Sequence, residues 1–61
     1  MDTRRRHELT DDEAALIDDI EARVADLRAA IERGTKPGRE RALAITKLDE
    51  ARLWAVEGVV G

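Results

Sequence analysis

Sixty-one residues make at most one small domain, and a chain this short buries only about 60% of the surface it exposes when unfolded. With no cysteine and a lone histidine, disulfides, a thiolate metal site and a zinc site anchored by His7 are all excluded, leaving self-association as the route to a stable fold. The formal charge of −3 argues against a dedicated DNA binder, because duplex affinity depends on many lysine and arginine contacts to phosphate.

Residues 1–9 read as a basic N-terminal arm with Arg4, Arg5, Arg6 and His7 in a row. Residues 10–61 read as one helical hairpin domain, in a composition rich in Ala, Leu, Glu and Arg that favours helix over sheet. Thr10-Asp11-Asp12-Glu13 is a capping box: the threonine hydroxyl accepts from the amide of Glu13, whose carboxylate reaches back to the amide of Thr10. The first helix is expected over about 11–33. Its apolar residues Ile17, Ile20, Val24, Leu27 and Ile31 recur at spacings of 3 and 4, a coiled-coil-like seam widened by Leu16. Gly34 is expected to take the left-handed position that ends this helix, with Pro37 just beyond it. The connection over 34–38 is short enough to make the two helices antiparallel.

The second helix is expected over about 38–58. On a helical projection Ala44, Leu48, Ala51, Ala55 and Val59 share one narrow face, where three alanines would allow close approach to the first helix. Ile45 and Val56 widen the apolar arc, and Ala42, Leu53 and Val60 extend it to roughly 200°, about twice what one partner helix covers. The fold class expected is therefore all-α: an antiparallel two-helix hairpin that self-associates into a compact helical oligomer. No apolar run approaches the roughly 20 residues that span a bilayer, and the basic N-terminus is not followed by a signal peptide's apolar segment. These features point to the cytoplasm of a bacterium or of a phage-infected cell.

Catalysis has little to work with. There is no Ser or Cys nucleophile, and the pairs Asp11/Asp12 and Asp18/Asp19 point about 100° apart on a helix, as dipole complement and solvated face. No Glu-x-x-His spacing offers a carboxylate-bridged metal site, so the chain is read as a non-enzyme without metal or cofactor. Three groups of residues have a binding reading beside a plain one. The arm, with Arg5 and Arg6, either reaches phosphates or only keeps the chain soluble. Arg39 and Arg41 either pair with acids of the first helix or face an anionic ligand at the start of the second. Leu43, Lys47 and Trp54 lie within about 40° of one another, beside Thr46 and Glu50. That cluster either holds a nucleotide, lysine on phosphate and indole by a base, or is hydrophobic packing along which the lysine stem lies. The residues alone favour the packing.

The segment Arg39-Glu-Arg-Ala-Leu-Ala-Ile-Thr-Lys-Leu-Asp-Glu-Ala, followed by Leu-Trp-Ala55, resembles the signature helix of the anti-CBASS type 2 and anti-Thoeris type 1 hairpin domain. The Leu9-Thr10 opening and the short loop after a first helix fit the same layout. The resemblance implies a hairpin assembled into a compact oligomer, often a hexamer. Pockets between its subunits would sequester cyclic di- or trinucleotides, or cyclic ADP-ribose isomers, without cleaving them. It further implies Arg39 and Lys47 on phosphate, Thr46 on phosphate or ribose, Glu50 orienting a basic neighbour, and Trp54 shaping the pocket. Where relatives often carry an aromatic residue before the first helix, this chain has Arg6 and His7. Beside this reading stand a helical protein–protein interaction module and a small DNA-binding regulator using Arg4–Arg6, the latter disfavoured by the net acidity.

Overall fold

A computed structural model describes residues 8–61 and shows two α-helices, α1 (Asp11–Gly34) and α2 (Arg39–Val60), folded back on each other. The basic cluster Arg4 to His7, with Arg5 and Arg6, lies outside the described residues. Among those described there is no strand, so the all-helical hairpin matches the expectation from periodicity.

The start of α1 is fixed by its own sequence. Thr10 adopts an extended conformation, its hydroxyl accepts from the Glu13 amide at 3.1 Å, and the Glu13 carboxylate accepts from the Thr10 amide at 2.9 Å. Three acids, Asp11, Asp12 and Glu13, occupy the first turn, where the helix dipole favours negative charge.

The end of α1 departs from expectation. Gly34 remains helical, and the only positive φ among the described residues belongs to Gly38, at 151°. Thr35 closes the helix instead, in an extended conformation, donating to the Ile31 carbonyl from its amide (3.0 Å) and from its hydroxyl (2.7 Å). Arg41, in the first turn of α2, completes this end. Its guanidinium donates to the carbonyls of Glu32 (2.7 Å) and Thr35 and to the Thr35 hydroxyl (3.1 Å). Carbonyls that a left-handed glycine cap would have satisfied internally are thus met by a side chain from the other helix.

Packing between the helices corrects two further expectations. On α1, Ile17, Ile20, Val24 and Ile31 are half-buried, but Leu27 is 50% exposed and Arg28 takes its place toward α2. On α2 the half-buried stripe is Arg41, Ala44, Ile45, Leu48, Arg52, Val56 and Val59, while Ala51 and Ala55 are exposed. Ala44, Leu48 and Val59 of the expected face do meet α1, but the helix is rotated so that Ile45, Arg52 and Val56 join them in place of Ala51 and Ala55. Branched residues bury more apolar area per contact, and two cross-helix ion pairs fix the rotation: Arg28 with Asp49 (2.8 Å) and Arg52 with Glu21 (3.1 Å).

The hairpin measures 48 × 21 × 9 Å, with a radius of gyration of 14.8 Å against about 10 Å for a compact chain of this size. It is one helix thick. Accordingly no described residue is fully buried, and the apolar contacts along the seam stand in for a core.

Candidate functional site on the outer edge of α2

Of the residues singled out for binding, four lie in the middle of α2 and all four are exposed: Thr46, Lys47, Glu50 and Trp54. They share the flank turned away from α1. Lys47 Nζ lies 3.6 Å from a Glu50 carboxylate oxygen, one turn apart, with both side chains more than half exposed. At this exposure the pair is held loosely, worth well under about 1 kcal/mol, and an anion can draw the ammonium away.

Trp54 is 76% exposed, far more than any other large apolar side chain among the described residues. It therefore does not pack between the two helices. Its indole sits at i+7 from Lys47 and i+4 from Glu50, with Leu43 (45% exposed) one further turn back on the same line. The edge thus offers a cation, a hydroxyl, a carboxylate and an open aromatic face within three turns of helix. Such a set suits a ligand with both a negative charge and a flat ring.

Arg39 opens α2 and is exposed, without an ion pair to α1 among the described residues. It is about 12 Å along the helix axis from Lys47, by the rise of a helix over eight residues. Within one chain the two cations are therefore not brought together on a small anion. Arg41, which the sequence left open between an acid partner and an anionic ligand, takes neither: its donors are spent on the end of α1.

The Arg28–Asp49 and Arg52–Glu21 pairs escaped the sequence reading altogether. Arg52 also lies 3.8 Å from Asp49, so the four charges form one chain across the seam. The signal was present: Arg52 falls in step with Ile45, Leu48, Val56 and Val59, so a branched inward stripe carries it to the seam. Among the described residues, no group of three or more His, Cys, Asp or Glu side chains is placed to hold a metal ion. Among the described residues, no helix is long and apolar enough to cross a membrane.

A family model described as "Acb2/Tad1, hairpin domain" matches residues 1–60. No curated protein and no solved structure matches the chain.

Proposed function

The chain belongs to the Acb2/Tad1 hairpin-domain family, and from that premise we propose that it is a phage anti-defence sponge. It binds cyclic nucleotide second messengers, cyclic di- or trinucleotides or cyclic ADP-ribose isomers, and withholds them from the host's immune effector without cleaving them. It acts as a homo-oligomer, of six subunits by analogy with the family, in the cytoplasm of the infected bacterium. The observation that carries the reading is the open edge of α2, where Lys47 and Trp54 stand exposed beside Thr46 and Glu50.

Lys47 and Arg39 engage phosphate, Thr46 donates to phosphate or ribose, Trp54 walls the pocket, and Glu50 holds Lys47 in place until the ligand arrives. Arg5 and Arg6 of the arm add contacts to phosphate. With Arg39 and Lys47 some 12 Å apart along one helix, by the rise per residue, a small cyclic nucleotide is enclosed only when a second subunit supplies part of the pocket. Sequestration needs only tight, reversible binding, so no nucleophile or metal is called for.

Native mass spectrometry against a panel of cyclic di-, tri- and tetranucleotides and cyclic ADP-ribose isomers tests this. The expected spectrum is an oligomer carrying intact nucleotide at fixed stoichiometry. Lys47→Glu is expected to abolish that binding while leaving helix content and oligomer size unchanged. An oligomer that ignores the whole panel sinks the messenger reading. The exposed Leu43, Leu53 and Trp54 then favour the second reading, a helical module that docks a partner protein and is indifferent to Lys47.

A further inference from the structure

Where the indole stands, the outer edge of α2 carries more negative charge than positive. Lys47 is its cation, with a Glu50 carboxylate oxygen 3.6 Å away. Glu50 lies one turn before Trp54, and Glu57, also exposed, lies one turn beyond it. The next exposed cation of the helix, Arg39, is about 12 Å along the axis from Lys47. The neighbouring acid Asp49 is placed differently, at the seam, 2.8 Å from Arg28 and 3.8 Å from Arg52. Of the two adjacent acids, Glu50 is thus the one left beside the ammonium that meets phosphate. We propose that Glu50 is a specificity-determining residue, a charge filter that admits phosphodiesters and turns away nucleotides ending in a phosphomonoester.

An exposed lysine beside an indole attracts almost any nucleotide, since every base has a flat ring and every phosphate a negative charge. Nucleotides with a free terminal phosphate abound in every cell, and a sponge without a filter would fill with them. Charge is the difference that this edge can read. A phosphodiester carries one negative charge, whereas a terminal phosphomonoester, with a second pKa of about 6, carries close to two at neutral pH.

Lys47 attracts both kinds of phosphate, and the Glu50 carboxylate opposes each in proportion to its charge. A ligand that draws the ammonium away from Glu50 leaves the carboxylate where it was, one turn from the phosphate. At roughly 4–5 Å in water, each extra ligand charge facing it lowers affinity about fivefold. Both side chains are more than half exposed, so dissolved salt screens part of that effect. This rests on the sponge reading and adds what the edge rejects.

Trp54 is the single tryptophan, so its emission reports binding at this edge. Titrations at about pH 8 and low salt compare matched probes. Cyclic diadenylate, cyclic diguanylate and cyclic triadenylate are each paired with the linear 5′-phosphorylated chain that opening one phosphodiester gives. A cyclic ADP-ribose isomer is paired with ADP. In every pair whose cyclic member binds, the wild type is expected to prefer that member. Glu50→Gln is expected to narrow the preference by about threefold or more, chiefly by strengthening the linear probe, and less so in high salt. An unchanged ratio, or a wild type that takes the linear probe as tightly as the cyclic one, overturns the proposal. Equal weakening of both probes, complete loss included, makes Glu50 only a support for Lys47; it overturns the filter and spares the sponge. If the wild type binds no cyclic probe, the sponge reading falls and the filter falls with it.

Discussion

At the scale of single residues, two glycines four positions apart have opposite requirements. Gly34 is helical and its missing Cβ would meet nothing within 4 Å, so Gly34→Ala is expected to stabilise the hairpin by about 0.5–1 kcal/mol. Gly38 holds a φ of 151° with ψ of −166°, a region nearly confined to glycine, so Gly38→Ala is expected to cost about 1–3 kcal/mol. Thermal unfolding of the two variants reads both signs at once; destabilisation by Gly34→Ala would show a left-handed cap after all. The capping box was legible in the sequence because both of its hydrogen bonds join residues three apart. The cap at the other end was not, because it depends on a guanidinium six to nine residues downstream that only the closed hairpin delivers.

At the scale of elements, the existence of two helices and most of the α1 seam followed from periodicity. The rotation of α2 did not. An apolar arc of roughly 200° contains several stripes of similar width, and projection alone does not rank them. Here the choice goes to Ile45, Leu48 and Val56, with Arg52 among them, which pairs across to Glu21. Arg28 displaces Leu27 in the same way, by reaching Asp49. Both pairs remain partly exposed, so their worth is modest. A double-mutant cycle on Arg28→Ala and Asp49→Ala is expected to give a coupling of about 0.2–1 kcal/mol, shrinking toward zero in high salt. A coupling that high salt leaves unchanged would mean that the pair is buried in the assembled protein. The candidate site was legible as a line of residues, Leu43, Lys47 and Trp54, because a shared flank is a local property of one helix. Its binding partner groups were not, since Arg39 and Lys47 do not converge within one chain.

At the scale of the whole molecule, no described residue is fully buried, and the proposed self-association would supply the second layer that the hairpin lacks. The melting temperature is therefore expected to rise with protein concentration, as mass action requires when folding and assembly are linked. A midpoint constant over a hundredfold dilution would instead describe a self-sufficient monomer. The layer is also unequal along its length. Arg41 ties the last turn of α1 to the first turn of α2, while at the far end α1 begins and α2 finishes without a comparable clamp among the described residues. Opening should therefore run in one direction, as a zip does, with Ile17 and Val56 parting before Ile31 and Ile45. Backbone amide exchange would record this as a gradient of protection falling away from the turn, and Arg41→Ala would flatten it. Motion in the folded protein would then be concentrated near Val56–Val60 and the start of α1, within a turn of Trp54.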